Sequence, residues 1–210
     1  MARYTGPVCK LCRRESMKLY LKGDKCFTKC TLDSRPNPPG TSGKPRRKPS
    51  DYAIRLREKQ KLKRMAGILE RQTRHYYQDA ADMAGKTGEN MLRLIEMRLD
   101  NVVRKMGLAT SLRFARQLVN HGHVRVNGKS VTLPAYEVSA GDKIELNAEM
   151  KENFYVKLAL ESFTRRGSVI PNWISWDAGT VSAQVLRSPE ASEFSYPISD
   201  NYIVEFYTRR

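Results

Sequence analysis

No apolar run in this chain of 210 residues approaches the ~20 residues that a membrane span requires. Met1-Ala2-Arg3-Tyr4 leads into neither a signal-peptide hydrophobic stretch nor an Arg/Ser-rich transit segment. The expectation is a soluble protein made where it works, with no membrane among its partners. Catalytic signatures are missing as well: there is no phosphate-cradling glycine loop, no histidine pair at metal-ligand spacing and no recognisable nucleophile motif. An enzyme is therefore not expected. Acidic residues are in short supply, with 22 Asp and Glu against 38 Lys and Arg, a formal net charge of +16. The simplest physical use of that excess is neutralising phosphates and releasing their counterions.

The charge is unevenly spread. Residues 1–74 carry 21 basic and 6 acidic side chains, residues 75–148 carry 10 and 8, and residues 149–210 carry 7 and 8. Charge kept only for solubility could lie anywhere, whereas here nearly all the excess is in the first third. A polyanion is approached from there.

The same third holds all four cysteines, Cys9, Cys12, Cys26 and Cys30, as two close pairs bridged by a loop. A reducing compartment favours metal ligation over disulfides, and two such pairs let four thiolates converge on one zinc. With all four positions filled by protein, the site would be closed and structural. Unligated buried thiols, a disulfide pair and a cysteine-bound iron–sulfur cluster are the other uses open to this ligand set. A segment of ~45 residues buries too little surface to fold alone, and a bound Zn2+ is the usual remedy. The segment closes on the Pro/Gly-rich connector Arg35 to Gly43.

Ser50 can cap a helix whose first turn holds Asp51. The run that follows carries Arg55, Arg57, Lys59, Lys61, Lys63 and Arg64, and just before it stand Arg46, Arg47 and Lys48. A solvated helix face is the bland reading of the run. Two adjacent blocks of like charge repel one another unless a polyanion offsets them, so phosphate contact is the stronger one. Further helices are expected over about Glu70 to Ala84 and from Glu89, forming a small helical domain.

From Arg98 the pattern changes. A short helix stops at Gly107, Thr110-Ser111 can cap a second over Leu112 to Asn120, and Asn127-Gly128 between alternating segments signals a hairpin. Two helices laid on a small sheet are expected over residues 98–146. Arg113, Arg116 and His121 project from the second helix, while His123, Arg125, Asn127 and Lys129 cluster at its exit and the hairpin. The helix N-terminus at Ser111 offers backbone N–H groups to a phosphate. Helix capping or simple exposure is the other use for the histidines, Asp100 is expected to pair with an arginine, and Asp142 fits a turn. Later, Lys151 to Thr164 reads as a helix, and Trp173 to Trp176, Thr180 to Leu186 and Tyr202 to Tyr207 read as strands.

The string Arg98-Leu99-Asp100-Asn101-Val102-Val103, then Ala115 to His123, Val126-Asn127-Gly128-Lys129 and Gly141-Asp142, closely resembles the S-four RNA-binding domain. Arg3-Tyr4-Thr5-Gly6-Pro7, the cysteine pairs, Pro49-Ser50-Asp51-Tyr52, Arg55 to Lys61 and the closing Val204-Glu205-Phe206-Tyr207 extend the match to both termini. The whole chain is similar to the bacterial, zinc-binding type of the S-four family of small-subunit ribosomal proteins. Cys26 and Cys30 are separated by three residues, one fewer than is frequent in that type, a spacing that still permits ligation of one metal.

The resemblance implies an α+β multi-domain fold. Its parts are a four-cysteine zinc-binding segment over 1–45, a helical domain over 46–97 to which about 190–210 returns, an S-four-type RNA-binding domain over 98–160, and a strand-rich continuation over 161–189. It also implies direct, early binding of small-subunit ribosomal RNA and nucleation of the subunit body in the cytoplasm of a bacterium, or in an organelle that encodes it. Further implications are a place by the messenger RNA entry channel, to which Arg46, Arg47 and Lys48 are assigned, a contact with ribosomal protein S-five, and a part in translational accuracy. The competing readings are an RNA-modifying enzyme, for which residues 150–210 are too short to supply a catalytic domain, and a free RNA chaperone carrying the same module.

Overall fold

A computed structural model describes residues 4–40 and 48–208. In chain order its elements are α1 (Cys9–Glu15), α2 (Lys25–Thr28), α3 (Thr31–Ser34), α4 (Asp51–Met65), α5 (Glu70–Asp82), α6 (Thr87–Glu96), α7 (Leu99–Lys105), α8 (Leu112–Asn120), β1 (Val124–Val126), β2 (Lys129–Ser130), β3 (Lys143–Leu146), α9 (Ala148–Lys151), α10 (Phe154–Arg165), β4 (Ile174–Asp177), β5 (Ser182–Val185) and α11 (Asp200–Thr208). They divide into two compact units, Met1–Leu92 with Ser195–Arg210, and Arg93–Phe194.

The first unit is built on α4. Ser50 caps it, its hydroxyl accepting from the Ala53 N–H at 3.3 Å, and Asp51 occupies the first turn. The helix is so rich in charge that its fully buried apolar contribution is chiefly Leu62. The missing apolar surface comes from the far end of the chain, where α11 packs on α4 and α5. Residues Tyr202 to Tyr207, expected as a strand from their β-branched and aromatic content, are instead part of this helix. Ile203, Phe206 and Tyr207 are its buried residues, spaced three and four apart on one helical face, and burying that stripe overrides local β propensity. Tyr77 stacks on Tyr207 with ring centroids 4.8 Å apart.

In the second unit a five-stranded antiparallel sheet has the order β2-β1-β3-β5-β4. The β1–β2 hairpin turns at Asn127-Gly128, with φ of 50° and 77°, the left-handed pair a two-residue turn requires. The strand after the turn is short: β2 is Lys129–Ser130, and the apolar residues that follow, Val131 and Leu133, lie beyond it, with the Val131 N–H still donating to the Val124 carbonyl at 3.1 Å. The helical pattern read over Lys151 to Thr164 divides between the last residue of α9 and nearly the whole of α10. Alternation sends Val124, Val126, Ile144, Leu146, Ala183 and Val185 to one side, where they join Leu99, Val102 and Val103 of α7, Ala115, Leu118 and Val119 of α8, and Trp173.

Two ion pairs are buried in this unit, Lys105 with Glu96 at 2.8 Å and Arg98 with Asp100. Arg98 lays its guanidinium on the Asp100 carboxylate, Nε to Oδ1 at 3.0 Å and Nη2 to Oδ2 at 2.9 Å, both side chains buried. Arg116 adds a third bond to Oδ2 at 2.6 Å.

Candidate nucleic-acid interface and cysteine site

Each of the six basic side chains expected on α4 to reach for phosphate meets a carboxylate of the protein. Arg55 Nε bonds Glu205 at 2.5 Å, Arg57 Nη1 bonds Glu15 at 3.2 Å, and Lys59 and Lys63 share Glu70 at 2.6 and 3.1 Å. Lys61 pairs with Glu58, and Arg64 with Glu15. Glu15 is buried, so two arginines converge on a carboxylate removed from water. None of the six is fully exposed, and Lys59 is buried, with Nζ 4.2 Å from the centre of the Phe206 ring. Burial alone would raise the Glu70 carboxyl, but hydrogen bonds from Lys59 and Lys63, with their charges, hold it below its ordinary value. The basic helix is thus cross-braced. Six cations on four carboxylates still leave a positive surplus, and the braces hold these side chains in place.

The readily available cations lie elsewhere in the same unit. Lys10, Lys22, Lys25, Lys29 and Arg35 in the cysteine segment, Lys48 before α4, and Arg71 and Arg74 on α5 are all exposed. Apart from Lys48, no local pattern in the sequence singles them out. The only signal for them is the charge total of the first third, since none stands in a dense run. Arg46 and Arg47 lie outside the described residues.

In the second unit Ser111 caps α8, its hydroxyl accepting from the Phe114 N–H at 3.3 Å. Arg113 is exposed beside it, whereas Arg116 turns to Asp100. Asp100 therefore has the arginine partner expected of it. At the end of α8 the His121 and His123 rings stand 5.9 Å apart, His121 exposed and His123 within 3.4 Å of the Asn147 amide. Arg125 and Lys129 are exposed on the hairpin. Asn127 is engaged by the protein: its side-chain amide donates to Asp142 at 2.7 Å and accepts from the Lys143 N–H at 2.9 Å. The Ser139 N–H also donates to Asp142, so one carboxylate ties the hairpin to the Gly141-Asp142 turn. Arg113, His121, Arg125 and Lys129 are left as the exposed cationic and imidazole groups of the sequence-predicted set, at the helix and its following hairpin.

The four cysteines line one small cavity of about 10 Å3 with Val8, Leu21, Lys22, Lys25, Thr31 and Leu32. All four thiols are free, with Cys12 and Cys26 buried and Cys9 and Cys30 half-buried. The Lys22 N–H points at Cys26 Sγ at 3.3 Å. Burial pushes the Cys12 and Cys26 thiols up, while backbone N–H groups at Leu19 for Cys12, and at Lys22 and Leu21 for Cys26, pull them back. Among the described residues no three His, Cys, Asp or Glu side chains are arranged so as to hold a metal ion. By donor type alone the four thiols around this cavity, with the Lys22 N–H aimed at the Cys26 sulfur, suit a soft metal, although their placement is not that of ligands on one ion.

Comparison with known proteins covers most of this architecture. Residues 3–96 match the model of the ribosomal protein S4/S9 N-terminal domain, and residues 97–144 match the S4 domain. Among curated proteins, the chain is 50% identical over 210 residues to the small ribosomal subunit protein uS4 of Anaeromyxobacter sp. (strain K), covering all of both chains. It is 49% identical over 210 residues to uS4 of Thermodesulfovibrio yellowstonii and 47% identical over 211 residues to uS4 of Thermus thermophilus, again covering all of each. Identity at that level over the whole length makes this chain a member of the uS4 family of small ribosomal subunit proteins.

Proposed function

We propose that the chain is a non-catalytic structural protein of the bacterial small ribosomal subunit that binds its ribosomal RNA directly. The observation that carries this reading is the full-length identity to bacterial uS4 proteins, and the concentration of exposed cations in the first unit supports it. Affinity comes from phosphate neutralisation by Lys10, Lys22, Lys25, Lys29, Lys48, Arg71 and Arg74, joined by Arg113, Arg125 and Lys129. Specificity comes from the shape of folded RNA junctions, which a rigid surface can read and a flexible basic tail cannot. The ion pairs of α4 supply that rigidity.

Nucleation of the subunit body, the messenger RNA entry channel, ribosomal protein S-five and translational accuracy belong to this reading on the family resemblance, with Lys48 and its neighbours Arg46 and Arg47 on the channel side. Cys9, Cys12, Cys26 and Cys30 would hold one Zn2+. The metal would cross-link α1, α2 and the chain entering α3, in a segment whose described apolar core is small. An iron–sulfur cluster is the lesser alternative for the same ligands.

The test is competition at rising salt between folded small-subunit ribosomal RNA and a length-matched random RNA. Preference for the ribosomal RNA that persists as the salt is raised is the expected result. Equal binding of the two overturns the reading. Sedimentation of a lysate separates the remaining alternative, because a free chaperone runs apart from small subunits.

A further inference from the structure

Tyr20 and Phe27 form a stacked pair, ring centroids 4.8 Å apart and planes inclined by 30°, that is left on the surface of the first unit. Tyr20 is 43% exposed and Phe27 50% exposed. Both rings rank among the exposed large apolar side chains of the described residues, and both flank buried ones, Leu19 and Cys26. The backbone at Tyr20 is in the left-handed region, φ 50°, which is costly for a bulky side chain and persists only where the surroundings impose it.

The chemistry around the pair is cationic. Lys22, Lys25 and Lys29 are exposed on the same stretch and make no ion pair among the described residues, while Lys18 is held by Asp33 at 2.8 Å. Asp24 is the acidic residue within the stretch. A planar apolar surface flanked by uncommitted lysines has the composition of a site for a ring carried on a phosphate backbone: the base stacks and the adjoining phosphates meet the ammonium groups. A membrane or an acidic peptide would use the charge but would have no need of a flat stacked pair.

We propose that Tyr20 and Phe27 are a stacking platform for an unpaired nucleobase of the bound RNA, with Lys22, Lys25 and Lys29 receiving the flanking phosphates. The inference rests on the RNA-binding reading above and adds to it a sequence-tolerant contact with one flipped-out or single-stranded nucleotide. The pair itself is fixed by ring stacking and by the Lys22 N–H to Cys26 sulfur bond, so the base meets a surface already in place.

The experiment measures binding of the full chain to folded small-subunit ribosomal RNA for the wild type, Phe27→Leu and Phe27→Trp, each across a salt series. Leucine keeps apolar bulk and removes the aromatic face, whereas tryptophan restores and enlarges it. Loss of one base stack is expected to weaken binding by about ten-fold for Phe27→Leu. The slope of affinity against salt should stay unchanged, because every lysine that meets a phosphate is kept. Phe27→Trp should bind at least as tightly as the wild type, which separates loss of stacking from loss of folding. Wild-type affinity in Phe27→Leu, with or without a defect in recruiting a protein, overturns the platform while leaving RNA binding in place. Equal weakening by Leu and Trp also overturns it. A wild-type chain that does not prefer ribosomal RNA overturns the functional reading on which the platform depends.

Discussion

Arg98 and Asp100, two residues apart in sequence, face each other as a two-pronged bond in the core of the second unit, at 3.0 and 2.9 Å, with relative side-chain exposures of 2% and 1%. The carboxylate compensates two arginines, since Arg116 reaches the same oxygen from α8. Removing it takes from the buried Arg98 guanidinium the carboxylate that it shares with Arg116. Asp100→Ala should therefore lower the unfolding free energy of this unit by about 3–5 kcal/mol. Urea unfolding followed by fluorescence of the buried Trp173 reads this directly; a change under about 1 kcal/mol, on the scale of an exposed ion pair, would contradict it.

The Lys59–Glu70–Lys63 arrangement makes the first unit sensitive to acid. Glu70 has its folded value held below the ordinary 4.5, so its contribution is complete above that value and is lost as pH falls through the lowered one. Glu70→Gln should lower stability at neutral pH and flatten the acid limb of the curve below about pH 4.5. Parallel acid limbs for the two proteins, measured by circular dichroism, would show that Glu70 is not the responsible group.

Two kinds of basic residue should separate by their readouts. Lys25→Ala with Lys29→Ala removes exposed charges and should weaken RNA binding and reduce the salt slope by about one for each phosphate no longer neutralised. Thermal stability should be unchanged. Arg64→Ala removes a partner of the buried Glu15 and should lower thermal stability as well as RNA affinity. Calorimetry alongside a binding titration distinguishes them, and equal loss of stability in both would remove the distinction.

Asn127 and Gly128 bear on the hairpin more than on RNA. Asn127→Ala loses two side-chain hydrogen bonds and a residue tolerant of the left-handed region, a cost of about 1–2 kcal/mol. Gly128→Ala, at φ 77°, is expected to cost a similar amount. Because the Asn127 amide is occupied by Asp142 and Lys143, RNA affinity should fall no more than the loss of folded protein accounts for. A larger drop in a fully folded variant would return Asn127 to the interface.

Native mass spectrometry should find one zinc for each chain, absent from Cys12→Ser. Chelation should loosen the segment from Cys9 to Ser34 while Trp173 fluorescence in the other unit stays unchanged, as hydrogen exchange resolved by region would show. A fully protected segment in metal-free protein would exclude a structural metal.

Local signals in the sequence are sufficient where one stretch of chain decides the structure. Ser50 and Ser111 cap the helices they are expected to cap, and Asn127-Gly128 turns the hairpin. Two of the four carboxylates that hold α4 are not legible, because Glu15 and Glu205 come from distant parts of the chain and no spacing rule connects them to Arg57, Arg64 or Arg55. The same distance hides α11, whose composition favours a strand until its packing against α4 is known. In the interface, density of charge draws attention to Arg55 through Arg64, while the sparser lysines between the cysteines prove the more exposed.

Arg55 and Glu205 are 150 residues apart, and this has a consequence for a chain made from one end. When α4 emerges during synthesis, neither the carboxylate of Glu205 nor the ring of Phe206 yet exists. The inserted unit, Arg93–Phe194, is by contrast complete before translation ends. The oldest part of the newborn molecule is therefore the last to mature, and its cations wait without Glu205 until the final helix is released.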